Sequence, residues 1–138
     1  MYVKSACILP KGHPLAGKDE ITPSDLMHER LIHTRRDSRF FQDLARAFGE
    51  NGVQINSFVE VRQFTTACTM VSEGMGASVV SELDAEAFRS TGIVIRPFTP
   101  HISHRLSILQ PASGPSSPVV LDFVDAFIES LQPFLVKD

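Results

Sequence analysis

Three short clusters of hydroxyl, amide and charged side chains each follow an apolar run and precede a helical pattern. They lie at residues 34–38, 62–66 and 81–82. A helix that begins where a strand ends leaves free backbone N–H groups, and short hydroxyls beside them suit a carboxylate or another small anion. If the strands are parallel, all three clusters open on the same edge of the sheet. The side chains that we predict to contact a small-molecule ligand are Thr34, Ser38, Gln63, Thr65, Thr66 and Ser81.

Helix capping is the competing explanation for two of these residues. Ser38 and Ser81 each stand just before a helical pattern, where a serine hydroxyl commonly accepts a backbone N–H. For Ser38 and Ser81, the sequence therefore supports a role in helix capping and a role in ligand contact equally. Thr65 and Thr66 favour a ligand role, because two adjacent threonines are poor helix formers.

The remaining motifs give little support for catalysis. The chain has no G-x-S-x-G motif for a nucleophilic serine. Gly74-x-Gly76 runs from a helix to a strand and lacks the third glycine of a dinucleotide fingerprint, so it is better explained as a helix end. His101-x-x-His104 has no third metal ligand nearby. We therefore predict a protein that is not an enzyme and has no catalytic residue, cofactor or metal.

Charge and cysteine content indicate which partners the chain can bind and in which cellular compartment it resides. Its 13 Lys and Arg residues stand against 16 Asp and Glu residues, a formal net charge of −3, whereas a segment that binds DNA phosphates is normally basic. Cys68 lies near a predicted helix start, where a thiol can become reactive. Its place on an apolar stripe, like the apolar surroundings of Cys7, instead favours a reduced core cysteine of a cytoplasmic protein. No apolar run approaches the roughly 20 residues that cross a bilayer, so we expect no membrane partner.

Strands alternate with helices along most of the chain. Apolar runs predict strands at 5–9, 30–34, 55–61, 77–80, 93–95 and 106–109. Spacing of i, i+3, i+4 and i+7 predicts helices at 39–49 and from 64 to Gly74. The order Thr22, Pro23, Asp25 predicts a short capped turn, and a second capping box at 81–84 predicts a helix through Phe88. Such alternation predicts an α/β fold with a mostly parallel sheet flanked by helices.

A last helix follows a Pro/Ser/Gly linker at 112–118. We predict that its apolar stripe packs on an apolar surface of the protein, since burial of each large side chain is worth roughly 1.5–3 kcal/mol. The stripe comprises Val120, Val124, Phe127, Ile128, Leu131 and Leu135.

The order of several motifs resembles that of LysR-type transcriptional regulators. The segment that opens their second subdomain resembles residues 6–16, ACILPKGHPLA, and the turn and strand that follow resemble 21–26 and 30–32. Their V-x-x-G-x-G signature, followed by apolar residues, resembles 71–80, VSEGMGASVV. The 96–98 stretch and the closing amphipathic helix also fit, so the resemblance covers nearly the whole chain.

This resemblance implies a type 2 periplasmic-binding-protein-like effector domain. We expect residues 6–109 to be its second effector-binding subdomain, and residues 110–138 to be the linker and C-terminal helix that would complete the first subdomain. In that family a helix-turn-helix segment binds DNA; this sequence contains no such segment, so DNA would be bound only through an N-terminal domain that is missing here.

The function implied is ligand sensing for transcription control. The effector would be an amino acid or a small carboxylate, and the TTACTMV segment at 65–71 resembles members that sense amino acids or opines. We also expect a homo-oligomer, since family members dimerise and exposed apolar area here would lack its natural cover. The alternative is a lobe of a solute-binding protein or a small α/β enzyme.

Overall fold

Six strands form one sheet in the computed structural model, which describes residues 1–114 and 116–137. The strands are β1 Tyr2–Leu9, β2 Leu31–Thr34, β3 Ser57–Val61, β4 Ala77–Ser81, β5 Val94–Pro97 and β6 Ser103–Arg105. The α-helices are α1 Arg39–Glu50, α2 Phe64–Ser72, α3 Glu82–Ala87 and α4 Pro118–Leu131. Short 3-10 turns lie at Pro14–Gly17, Pro23–Leu26, Arg89–Thr91 and Gln132–Phe134.

Five of these strands run in one direction and β1 runs against them. The strand order is β3-β2-β4-β1-β5, and β6 pairs with the first residues of β1. β2 is parallel to β3 and β4, whereas β1 is antiparallel to β4, β5 and β6. The predicted α/β class, with a sheet flanked by helices, is confirmed. The position of β1 inside the sheet was not predicted, and it makes three of the five pairings antiparallel.

The two faces of the sheet carry separate apolar cores, because successive side chains of a strand point to opposite faces. On one face Cys7 and Leu9 pack with Leu44 of α1. On the other face Ile8 packs with Val71 of α2 and with α3. Helices therefore cover both faces, and their first turns lie near the ends of the strands that precede them.

Local sequence signals account for the start and end of α1 and for the 3-10 turn at Pro23–Leu26. The hydroxyl of Ser38 accepts the N–H of Phe41 at 3.1 Å, which caps α1, and Gly52 with a φ of 67° follows its end. The predicted capped turn is also present: the carboxylate of Asp25 accepts the backbone N–H of Thr22 at 2.9 Å and its hydroxyl at 3.0 Å.

The Gly74-Met75-Gly76 segment joins α2 to β4. Gly74, with a φ of 79°, follows the helix end as predicted. Gly76 has a φ of 157°, and in addition a Cβ atom there would lie 2.4 Å from the carbonyl oxygen of Arg30. That oxygen accepts the N–H of Ala77 at 3.0 Å. The missing side chain of Gly76 thus allows β4 to approach the start of β2.

The predicted strand at 106–109 is wrong. These residues have no regular structure, and the strand lies earlier, at β6. β6 forms because residues 2–4 of β1 offer it an antiparallel partner. Leu106 still exchanges backbone hydrogen bonds with Met1 at 2.9 and 3.1 Å, but residues 107–109 pair with no strand of the described residues.

The prediction that the last helix packs along its stripe holds only in part. Leu131 is buried and Val124, Ile128 and Leu135 are half-buried, while Val120 and Phe127 are exposed. Their neighbour Phe123 is 68 % exposed. The stripe indicates that α4 needs an apolar partner, but residues 1–114 supply one only near its C-terminal end. The linker predicted at 112–118 is irregular at 112–114 and 116–117, and Pro118 already begins α4; Pro115 lies outside the described residues.

No helix among the described residues is both long enough and apolar enough to cross a bilayer.

Candidate functional site

The carboxyl ends of β2, β3 and β4 lead into α1, α2 and α3, and these junctions meet at one edge of the sheet. A cleft of about 610 Å³ opens there. The side chains that line it are polar, charged and aromatic: Thr34, Arg35, Asp37, Ser38, Phe40, Arg62, Gln63, Phe64, Asp84 and His104. The expectation that polar clusters after parallel strands open on one edge is therefore confirmed for the first two clusters.

The junction between β2 and α1 is held by hydrogen bonds from both sides. His33 is buried; one ring nitrogen, as Nδ1–H, donates to the carbonyl of Thr34 at 2.8 Å, and Nε2 lies 2.7 Å from the hydroxyl of Ser57 on β3. The hydroxyls of Thr34 and Ser38 lie 3.2 Å apart. Because Ser38 also accepts the N–H of Phe41, two short hydroxyls point toward the positive end of α1.

The junction between β3 and α2 places Gln63 at the N-terminal cap of α2. The Gln63 side chain is exposed and makes no capping hydrogen bond. It is free to contact a ligand in the cleft, as are the first backbone N–H groups of α2. Thr65 and Thr66 are exposed on the first turn and are not among the residues that line the cleft.

The third junction differs most from the sequence prediction. Ser81 is buried, with 2 % of its surface exposed, and it does not line the cleft. Glu82 points elsewhere and its carboxylate lies 3.6 Å from the ammonium of Lys4. The residue of α3 that reaches the cleft is Asp84, which is half-buried.

Aromatic rings form the apolar wall of the cleft. The ring centroids of Phe40 and Phe64 are 4.9 Å apart and the rings meet edge to face. His104 of β6 meets Phe64 edge to face at 5.1 Å. Burial lowers the pKa of His104, against a smaller opposing effect of the Asp84 charge. The imidazole is therefore neutral at pH 7.

Arg35 and Asp37 at the cleft rim neutralise each other. The Nε of Arg35 donates to Asp37 at 2.9 Å, and a second N–H of the guanidinium contacts the other carboxylate oxygen. In contrast, neither Arg62 nor Asp84 has an ion-pair or hydrogen-bond partner among the side chains of residues 1–114 and 116–137. The cleft thus holds one positive and one negative group available to a ligand.

Of the predicted contact residues, the structure brings Thr34, Ser38 and Gln63 together, and their role as ligand contacts stays a prediction. The sequence analysis overlooked Asp84 and His104 as cleft residues. No local signal marks Asp84, because its place in the cleft follows from the order of strands. His104 was considered only with His101, which lines other surface clefts.

The cysteines do not belong to this site. Cys7 and Cys68 are fully buried and free. Burial, reinforced by the Asp84 charge, raises the pKa of Cys68 to about 12, so its thiol is not ionised at neutral pH. Core packing is thus confirmed for both residues. In the described part of the chain, no group of three or more His, Cys, Asp or Glu side chains could hold a metal ion.

Comparison with known proteins gives a consistent result. The model of the family described as "LysR substrate binding domain" matches residues 3–132. The transcriptional activator protein LysR of Escherichia coli K12 is 37 % identical over 137 residues, which are 99 % of this chain and 43 % of that protein. The chain therefore spans less than half the length of this relative.

Solved structures show the same fold at lower sequence identity. The effector-binding domain of QuiR, in complex with shikimate, superposes with a TM-score of 0.66 at 18 % identity, covering 97 % of this chain and 64 % of that one. The regulatory domain of CcmR from Synechocystis PCC6803, in complex with 2-PG, has a TM-score of 0.63 at 19 % identity, covering 94 % and 64 %.

Proposed function

This chain belongs to the family of LysR substrate-binding domains, which are the effector-binding regulatory domains of LysR-type transcriptional regulators, and we propose that it supplies one wall of the effector cleft. Residues 6–109 would be the second effector-binding subdomain. Residues 110–138 would be the linker and the helix that complete the first subdomain. The exposed apolar face of α4 supports this division, because a helix with such a face needs a partner surface.

The observation that carries the proposal is the meeting of two helix N-termini and three uncharged polar side chains in one cleft. α1 and α2 both begin at this edge, and Thr34, Ser38 and Gln63 lie between them. Free N–H groups at a helix start attract an anion, each helix contributing roughly 0.3–1 kcal/mol. The ligand would therefore present a carboxylate to these groups, as an amino acid or a small carboxylate does. Thr65 and Thr66 are exposed and would contact a ligand that extends beyond the residues lining the cleft, whereas Ser81 is buried and would lie out of its reach.

The wider role is transcription control in the cytoplasm, with DNA bound by a part of the regulator outside this sequence. The net charge of −3 supports this assignment of DNA binding to another part of the regulator, since an acidic segment is not suited to bind DNA phosphates. The relatives are transcriptional regulators, so a solute-binding lobe or a small α/β enzyme is not favoured. We infer no catalytic activity for the chain, and we expect a homo-oligomer because apolar side chains of α4 are exposed.

The test is an NMR titration of the chain with a panel of amino acids and small carboxylates. Amide shifts should cluster at Thr34, Ser38 and Gln63, with a Kd of about 1 mM, because one wall alone buries only part of a ligand. Thr34→Val keeps the shape of the side chain and removes its hydroxyl, so it should weaken binding several-fold. Thr66→Val measures whether the exposed threonine also takes part.

Thr69→Val is the matched control. Thr69 lies on the exposed face of α2, where its hydroxyl donates to the carbonyl of Thr65 at 3.1 Å. Removal of that hydroxyl should leave ligand binding unchanged. Shifts that cluster around His101 instead, or binding that survives Thr34→Val without change, would place the ligand elsewhere.

A further inference from the structure

The charged groups of the cleft point to a particular ligand class. We propose that the ligand is an amino-carboxylate whose ammonium group binds the carboxylate of Asp84, so that the cleft selects amino-carboxylates over plain carboxylates of the same length. This inference rests on the proposed function, since it assumes that the carboxylate of the ligand binds at the starts of α1 and α2.

The first support is the unused charge of Asp84. The other charged side chains of its helix are engaged outside the cleft: Glu82 faces Lys4 at 3.6 Å, and Glu86 accepts hydrogen bonds from Arg89 at 2.7 to 2.9 Å. Asp84 lines the cleft and pairs with no other side chain of the described residues. Asp84 lies in the first turn of α3, where a helix start favours its ionised form, and with no side-chain partner this carboxylate is available to a cation from outside.

The second support is the wall beside Asp84. Phe40, Phe64 and His104 form a continuous edge-to-face cluster in the same cleft. Aromatic faces attract an ammonium group, and more so where water is partly excluded. His104 adds no competing positive charge at neutral pH, because burial lowers its pKa.

The third support is that the unpaired positive and negative groups of the cleft stand at two different junctions, the start of α2 and the start of α3, which we call its two ends. Arg35 and Asp37 cancel each other at the rim. Arg62 lies at the start of α2 and Asp84 lies on α3, so the positive and negative groups belong to different junctions. A ligand with one carboxylate and one ammonium group matches both ends, whereas a dicarboxylate would place a negative charge against Asp84.

The experiment compares two series of probes that differ only in the amino group. One series is glycine, β-alanine, 4-aminobutyrate, 5-aminovalerate and 6-aminohexanoate; the other is acetate, propionate, butyrate, valerate and hexanoate. The Kd of each compound is measured by NMR titration of the chain at pH 7. At the length that spans the two ends, the amino compound should bind about tenfold tighter than its alkanoate, as expected for a hydrogen bond between charged groups.

Two variants locate the effect. Asp84→Asn is nearly isosteric and should reduce the ratio of the two Kd values to about one, while the binding of the alkanoate shows that the variant is folded. Glu82→Gln removes a carboxylate from the same turn of α3, outside the cleft, and should leave the ratio unchanged.

Equal binding of both series at every length would overturn the inference and leave the proposed function standing. A ratio that persists in Asp84→Asn would also overturn it, because the ammonium group would then bind elsewhere. If neither series binds near Thr34 and Ser38, the inference and the proposed function fail together.

Discussion

Replacement of Gly76 by alanine tests whether a close backbone approach holds the sheet together. A Cβ atom at this position would lie 2.4 Å from the carbonyl oxygen of Arg30, and contacts under 3.0 Å are essentially never seen. The start of β4 and the start of β2 would have to separate by about 0.6 Å or more, which is an overpacking strain of the kind that costs 1–3 kcal/mol.

The separation would also damage the pairing of the strands. β4 pairs with β2 at only two positions, Leu31↔Ala77 and Ile32↔Ser78. The hydrogen bond from the N–H of Ala77 to Arg30 is 3.0 Å long and would stretch beyond bonding distance. Loss of a buried hydrogen bond adds about 1 kcal/mol. We therefore expect Gly76→Ala to lower the free energy of unfolding by about 3 kcal/mol and the Tm by about 12 °C.

Two other glycines provide controls of the same chemical change. At Gly49, which is exposed within α1, a Cβ atom meets nothing within 4 Å, so Gly49→Ala should stabilise the chain by about 0.5–1 kcal/mol. At Gly74 there is equal space but the φ is 79°, so Gly74→Ala should cost about 1–2 kcal/mol from backbone strain alone. Calorimetry and urea unfolding measure all three. Gly76 also has a positive φ, of 157°, so Gly76→Ala carries backbone strain as Gly74→Ala does, and the Arg30 contact is the difference between them. A Gly76→Ala variant no less stable than Gly74→Ala would refute the argument from that contact.

The remaining predictions concern acid stability and assembly. Burial raises the pKa of Asp25, but hydrogen bonds from Lys18 and Thr22 outweigh it and lower the pKa below 3.8; the stabilisation is therefore present above pH 3.8 and is lost as the pH falls through the lowered value. Asp25→Asn should be about 1 kcal/mol less stable at pH 7, and urea unfolding should show this gap closing toward pH 2, whereas a constant gap would contradict the assignment. Sedimentation should show self-association that Phe123→Asp weakens, because Phe123 is exposed on α4; a concentrated monomer would count against the homo-oligomer.

The elements predicted best are those whose sequence signal is local. α1 follows from the spacing of Phe41, Leu44 and Phe48 and from the cap at Ser38, all of which act within one helix. The turn capped by Thr22 and Asp25 is equally local. Such signals need no knowledge of distant segments, so the sequence suffices.

The errors concern partners that lie far away along the chain. β6 has the polar sequence Ser103-His104-Arg105, and it is a strand only because residues 2–4 pair with it. An apolar alternation at 106–109 indicated a strand, but beyond Leu106, which bonds to Met1, these residues pair with no strand of the described residues. The stripe of α4 is a third case. Its helical spacing shows which face of the helix is apolar, but it does not show whether another part of the protein packs against that face.

Only part of the candidate site could be predicted, because some of its residues are placed by local signals and others by contacts with distant segments. Thr34, Ser38 and Gln63 follow strands that point the same way, and parallel strands bring their ends together. Asp84 and His104 enter the cleft through the position of α3 beside α2 and through the pairing of β6 with β1. Neither the packing of α3 beside α2 nor the pairing of β6 with β1 can be recognised from the residues that surround Asp84 and His104 in the sequence.

The reversed strand β1 has a consequence for the order in which the chain can fold. Its partners are residues 78–81, 94–97 and 103–105, so every pairing of the first strand closes a loop of roughly seventy residues or more. During synthesis β1 emerges before all of its partner strands and is paired only after they have emerged, whereas β2, β3 and β4 can assemble with α1 and α2 over shorter distances. Loop closure of this length slows folding and leaves an apolar strand unpaired meanwhile. The segment from Ala6 to Leu9, buried in the finished sheet, is thus the part of the chain most exposed to aggregation while translation continues.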